Sequence, residues 1–193
     1  RIDLDILRSQ HDVRELYVRH DNPVALARST YQAIKGALWC DLVFAWFGAF
    51  HALLPFLIGK LFGKPCVVVA SGYDVANEPE IDYGNMRPGL RRWVGRRVFA
   101  LADSILAVSN FAADQAMKNA GAQKCRIRVI LHGIPELTDC VGHLEADKQD
   151  MVLTVGGVNE SNLMRKGLLQ FAELSAFFPT ASFVIIGPVE ANG

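Results

Sequence analysis

An α/β chain built on parallel sheets is what this sequence predicts, and three observations predict it. Short apolar runs alternate with helical patterns along the chain. The run at residues 41–47 (DLVFAWF) is almost continuously apolar, as expected of a parallel strand covered on both faces. Residues 151–188 then read as strand, loop, helix and strand, which is one βαβ unit.

With 193 residues, 51% hydrophobic and 21% charged, the chain can form one large domain or two small ones around an ample core. The formal net charge of +0 gives no global field favouring nucleic acid. Cys40, Cys66, Cys125 and Cys140 show no C-x-x-C pair or metal spacing, and free thiols point weakly to a reducing compartment. Both ends read as cut, because Arg1 adjoins a helical pattern and Gly193 follows closely on the βαβ unit. No signal peptide is seen, and a chain cut at its start is compatible with one having been lost.

In chain order, Ile2, Leu4, Ile6 and Leu7 give the first helical pattern, and residues 12–18 read as a short strand. Asn22-Pro23 opens a helix reaching about Leu38. After the strand at 41–47, Gly48 breaks the run and residues 51–62 read as a buried helix. Gly63-Lys64-Pro65 ends that helix and leads into a strand at 66–70. Residues 42–59 carry no formal charge except on His51, about the minimum for a membrane span. The Gly48 break, Pro55 and the short turn into another strand fit βαβ grammar better, so these residues are assigned to a core.

The strand at 66–70 runs into Ser71-Gly72-Tyr73-Asp74, where a glycine lets the backbone turn or approach a ligand closely. Residues 88–101 carry a helical stripe of Leu90, Trp93, Val94, Val98 and Leu101. Arg87, Arg91, Arg92, Arg96 and Arg97 beside it form a basic patch, either a solvated helix face or a surface meeting anionic lipid or a phosphorylated acceptor. Residues 104–108 are a strand, and Ser109 can cap the helix that runs to Asn119. A strand at 126–131 ends in His132-Gly133-Ile134-Pro135, and the polar stretch 136–150 reads as a linker. The domain reading is therefore 1–135, linker 136–150, and 151–193.

In the βαβ unit, the first strand stops at Gly156-Gly157 and Arg165-Lys166-Gly167 opens a helix. Leu168, Phe171, Leu174 and Phe178 lie at helical spacing, and Pro179 ends the element. A lysine beside unused helix-start N–H groups suits a phosphate, although a solvated basic pair is the plain alternative.

These blocks resemble family 4 glycosyltransferases, the retaining GT-B group. Lys166-Gly167 matches the Lys-Gly whose lysine touches the donor diphosphate in that family, with Gly156 and Gly157 at the strand end. The family often has arginine directly after the strand-end glycine; here Arg165 is a looser match for that second charge. Ser71–Asp74 resembles the family's His-Gly-x-Asp, with Ser71 in place of the histidine and Gly72 and Asp74 matching. His51 either faces the cleft instead or is a packed core residue. ADSILAVSNF, ending at Phe111, resembles the family's Ala-Asp, apolar run, Val-Ser; His132 and Ile134 replace Asn and Val of its later Asn-Gly-Val. His132 reads equally as hinge or ligand.

The resemblance implies a GT-B-like chain: a partial Rossmann-like acceptor-side domain, then the opening βαβ of a donor domain. It implies sugar transfer from a nucleotide-sugar donor to an unknown carbohydrate or lipid-linked acceptor, with catalytic roles for Lys166 and Arg165. Donor contacts are expected at Gly156, Gly157, Lys166 and Gly167, and cleft positions at Ser71, Gly72, Tyr73, Asp74, His51, Ser109, His132 and Gly133. No cofactor or metal is expected, and the location is expected to be cytoplasmic, with peripheral membrane attachment as the alternative. Rival readings are a sugar-nucleotide epimerase and a non-catalytic binding domain; a nicotinamide enzyme is disfavoured because no G-x-G-x-x-G occurs. The family's Glu-x7-Glu donor pair is absent too, so the chain taken alone is expected to be inactive.

Overall fold

A computed structural model describes residues 2–19, 21–133 and 150–190. The chain divides into two compact units, residues 1–77 with 84–132, and residues 78–83 with 133–193.

The first unit is a four-stranded parallel sheet in sequential order: β1 (Val43–Trp46), β2 (Cys66–Ala70), β3 (Ser104–Ala107) and β4 (Ile127–Val129). Val43 is paired with Cys66, Val67 with Ser104, and Ile105 with Ile127. Helices α1 (Ile2–Gln10) and α2 (Pro23–Trp39) precede the sheet, and α3 (Phe50–Leu61), α4 (Leu90–Leu101) and α5 (Asn110–Gln115) join its strands. α2 starts where the sequence predicts: the Asn22 side chain accepts the Ala25 N–H, and Pro23 supplies a preset φ. α5 starts the same way on Ser109, whose Oγ accepts the Ala112 N–H, and runs on as a π-helical turn over Ala116–Ala120.

The core lies against β2 and β3, where Cys66, Val68, Ala70, Ile105 and Ala107 are fully buried beneath Phe56, Phe99 and Met86. Two glycines set the fit. A Cβ on Gly48 would stand 2.3 Å from the Phe99 ring, and one on Gly95 would stand 2.7 Å from Met86 Cε. A second cluster, Ala33, Ala37 and Ile58, fixes α2 against α3.

Three expectations fail here. Residues 12–19 form no strand; nothing pairs with them, and the Arg19 N–H and carbonyl are both bonded to Ser29 Oγ. β1 is not covered on both faces: Ala45 is buried on one, whereas Phe44 on the other is exposed. The α4 stripe is also displaced. Val94, Gly95, Val98 and Phe99 are its core face, whereas Leu90 is 66% and Trp93 52% exposed. Hydrophobicity placed these two in the stripe, but at 100° per residue Trp93 lies opposite the buried face. The charge-free stretch at 42–59 is divided between β1 and α3, and no helix among the described residues is long and apolar enough to cross a membrane.

The second unit carries β5 (Met151–Val155) parallel to β6 (Ser182–Ile186), with Met151 opposite Ser182 and Val155 opposite Ile186. Between them run α6 (Glu160–Arg165) and α7 (Leu168–Leu174), followed by a 3-10 turn at Ser175–Phe177. Leu168 is buried, and the Phe171 and Phe178 rings pack on Phe183 at centroid distances of 5.1 and 6.3 Å. The expected loop after β5 is therefore mostly helix, because Asn159 caps it by accepting the Asn162 N–H. Arg165 and Lys166 end α6 rather than opening the next helix, and Gly167, at φ +66°, makes the break between the two. Of the expected linker, 136–149 lie outside the described residues, as do Ile134 and Pro135.

Candidate functional site

In the first unit, the carboxyl ends of the strands gather most of the expected cleft residues. β1 ends at Trp46, and Phe47 follows in the left-handed region at φ +68°, which is costly for a bulky L residue. That turn leaves the Gly48 N–H pointing at Asp74, whose Oδ2 accepts it at 2.9 Å. Asp74 Oδ1 accepts the N–H groups of Ser71 and Gly72 at 3.0 and 3.1 Å. Asp74 is only 1% exposed. It is therefore not a surface of the cleft, as expected from the motif, but the buried clamp between the ends of β1 and β2. Gly72 takes φ +129°, a conformation L side chains rarely adopt. Ser71 is half-buried and Tyr73 is 42% exposed, so these two present side chains at the strand ends.

His51 is not packed in the core. It lies exposed in the first turn of α3, with Nε2 2.6 Å from the Trp46 carbonyl oxygen. His132, also exposed, stacks on the Trp46 ring at 6.3 Å with 10° between the planes. Gly133 beside it is exposed. The structure thus joins His51, His132 and the Ser71–Asp74 loop through Trp46 and Gly48. Ser109 stands at the end of β3 with its oxygen engaged in capping α5. Trp46, Phe47 and Gly48 were read in the sequence only as strand residues and a break. The signal that distinguishes them, a positive φ on a non-glycine residue, is not encoded in any local pattern.

In the second unit, β5 ends at Gly156, whose N–H donates to the Ile186 carbonyl. The Lys166 side chain lies over Gly156: a Cβ placed there would be 3.0 Å from Lys166 Cδ and 3.4 Å from its Nζ. Gly187 brings the other strand end equally close, for its Cβ would stand 2.2 Å from the Gly156 oxygen. Asn162 organises the rest. It donates from Nδ2 to the Gly157 carbonyl at 2.8 Å, and its Oδ1 accepts Arg165 NH2 at 2.6 Å. The Arg165 guanidinium also lies 4.7 Å from the Tyr83 ring centroid. The sequence reading missed both Asn159 and Asn162; the Asn-x-x-Asn spacing before the basic pair was the available signal. The N–H groups of Lys166 and Gly167 are bonded to Asn162 and Met164 carbonyls of α6, so they are not the unused helix-start donors that the sequence suggested. What remains for an anion is an ammonium beside a glycine-lined strand end, with a guanidinium one residue away.

The arginine patch is also divided. Arg96 Nε donates to the Asn119 carbonyl and Arg87 Nε to the Gly84 carbonyl, whereas Arg97 lies 5.5 Å from the Trp93 ring centroid. Among the described residues, no group of three or more His, Cys, Asp or Glu side chains is placed to hold a metal ion.

Comparison with known proteins then supplies the relatives. Anabaena HepE in complex with UDP and glucose is similar at TM-score 0.59 and 13% identity, over 97% of this chain and 51% of that one. The UDP-glucose complex of Anabaena HepE gives TM-score 0.57 and 14% identity, over 96% and 50%. A putative UDP-N-acetylglucosamine 2-epimerase from Listeria monocytogenes gives TM-score 0.50 and 14% identity, over 92% and 49%. The chain spans about half the length of these structures. At such identities the likeness is one of fold, the GT-B-like α/β arrangement of Rossmann-like units. No curated protein matches the chain. The family model of Glycosyltransferase Family 4 matches residues 5–136, more than half of the sequence, and the chain belongs to that family.

Proposed function

We propose that this chain is part of a retaining hexosyltransferase that draws its sugar from a nucleotide-sugar donor and passes it to a carbohydrate or lipid-linked acceptor. One observation carries the reading: the Lys166 ammonium lies over the strand-end Gly156, where no side chain stands between it and the backbone. In such a transfer the bond between the anomeric carbon and the diphosphate breaks, the acceptor oxygen bonds to that carbon, and the acceptor proton leaves with the diphosphate or to water. Negative charge grows on the departing diphosphate, and a positioned cation stabilises it more in the transition state than in the bound donor. Lys166 takes that role and Arg165 assists, held by Asn162 and stacked on Tyr83. These protein cations do the electrostatic work for which a metal ion would otherwise serve. Gly156, Gly157 and Gly167 contribute space and backbone, and Ser71, Tyr73, His51 and His132 are the side chains offered to an acceptor.

Titration with UDP and UDP-glucose tests the reading, because neighbours of this fold were solved with those ligands. Lys166→Ala should weaken binding about tenfold and lower transfer in the complete enzyme about 10²-fold, with the fold intact. Wild-type binding and transfer by a folded Lys166→Ala protein would refute the assignment. Product analysis separates the rivals: a transferase releases nucleoside diphosphate only when acceptor is present, and an epimerase changes the sugar without acceptor. A non-catalytic domain binds and does neither.

A further inference from the structure

We propose that Tyr83 is a positioning residue for the anion site, acting through Arg165; this rests on the reading of Lys166 and Arg165 as the cations that meet the donor diphosphate. Tyr83 is distant from both in sequence, on the stretch between β2 and α4, yet residues 78–83 group with the second unit. The segment is a closed hairpin. The Glu78 N–H donates to the Tyr83 carbonyl at 2.9 Å, the Tyr83 N–H donates to the Glu78 carbonyl at 3.0 Å, and Pro79–Ile81 form a 3-10 turn between them. Next to Tyr83, Gly84 takes φ +105°, where an added Cβ would stand 2.2 Å from the Ala76 oxygen. The backbone that carries the Tyr83 ring is therefore set by pairing and close approach, not left as free loop.

The ring meets Arg165 in a way that holds the guanidinium without consuming it. Arg165 Cζ lies 4.7 Å from the Tyr83 ring centroid, within the range of a cation–π contact. One terminal nitrogen donates to Asn162 Oδ1 at 2.6 Å, and Asn162 is in turn bonded to the Gly157 carbonyl. Arg165 is exposed and, among the described residues, has no carboxylate partner. A guanidinium keeps its N–H donors in its plane and none on its faces. Asn162 takes one terminal nitrogen and Tyr83 takes a face, so the remaining N–H groups stay available to an anion. A free arginine loses rotamer freedom when it grips a ligand; one already held loses less, and the difference appears as affinity. With its face given to the guanidinium, the ring serves a diphosphate through Arg165 and does not stack on the nucleobase.

The test is binding of UDP and of inorganic pyrophosphate to the 193-residue chain by NMR titration, with thermal unfolding to establish that each variant is folded. Tyr83→Leu keeps the bulk but has no ring face, and should weaken both ligands about threefold to fivefold. Tyr83→Phe keeps the face and should restore binding to within about twofold of wild type. In an Arg165→Ala background, Tyr83→Leu should add nothing, because the two side chains act as one. The Arg165 Nε proton, shielded by the ring in the wild type, should shift downfield in Tyr83→Leu and stay in place in Tyr83→Phe, a signature that needs no ligand. Wild-type binding by folded Tyr83→Leu, while Arg165→Ala binds more weakly, would overturn the positioning role and leave the Lys166 site standing. Equal losses with and without Arg165, or a Tyr83→Phe loss as large as that of Tyr83→Leu, would also overturn it. So would a loss confined to UDP, which would indicate contact between the ring and the base. Unchanged binding in Lys166→Ala and Arg165→Ala alike would refute the anion site itself, and the role of Tyr83 with it.

Discussion

The Asp74 carboxylate holds three backbone N–H groups while almost wholly buried, so its removal orphans donors on two different strand ends. Asp74→Ala should destabilise the chain by about 3 kcal/mol or more, and Asp74→Asn by less because one amide oxygen still accepts. Urea midpoints would measure both, and an Asp74→Ala variant as stable as wild type would remove the clamp from the account. Asp103 supplies a pH-dependent counterpart. Burial opposes its ionisation, but the Lys60 hydrogen bond, the Cys66 N–H and the charges of Lys60 and Arg126 outweigh this and hold its carboxyl below the ordinary value. A depressed folded-state value means stability that is complete above the unfolded pKa of about 3.9 and lost as pH falls through the folded one. Asp103→Asn should therefore lie below wild type at neutral pH and converge with it below about pH 4. Solvent screening of this half-exposed pair limits the difference to about 1 kcal/mol. Unfolding curves at pH 7 and pH 3 would show or exclude that convergence.

At the scale of elements, β2 was legible to the residue and β5 at its Gly156 end, because a short apolar run bounded by glycine or proline leaves few other readings. α2 and α5 were legible at their starts through Asn22 and Ser109. Residues 12–18 were not, since alternation in sequence cannot say whether a partner strand exists. The loop after β5 was misread for a different reason: polar residues dominate a short exposed helix and a loop alike, and only the Asn159 cap separates them. Arg165 and Lys166 were expected to open a helix and instead end one, with the Lys166 side chain over Gly156. Their placement depends on the two strand-end backbones meeting at Gly156 and Gly187. Gly187→Ala puts a methyl group 2.2 Å from the Gly156 oxygen, a backbone atom that cannot turn aside. We expect a cost of about 1–3 kcal/mol and weaker UDP binding at the Lys166 site, read by thermal shift with and without nucleotide. An unchanged nucleotide response would mean that the site does not depend on this approach.

At the scale of the molecule, the two units are unequally consolidated. The first buries Phe56, Phe99, Met86, Ile105 and Val68 against a four-stranded sheet. Among the described residues of the second, Leu168 is the one large hydrophobic side chain that is fully buried. Met151, Val152, Leu153, Val155, Phe177 and Phe178 remain exposed there, on or beside a two-stranded sheet. A pair of strands with so little covering is marginal, so amides of β5 and β6 should exchange with deuterium well before those of β2 and β3. The catalytic consequence follows from positioning. A cation stabilises a departing diphosphate only while held within a fraction of an ångström of its working place, and Lys166 belongs to the less consolidated unit. We therefore expect the 193-residue chain alone to bind UDP weakly and to release no nucleoside diphosphate from UDP-glucose, whatever acceptor is supplied. Chromatography of the products and exchange of β5 and β6 should be measured on the same preparation. Acceptor-dependent release above a Lys166→Ala control would show that the site is already rigid enough to turn over, and slow exchange in β5 would then be its expected companion.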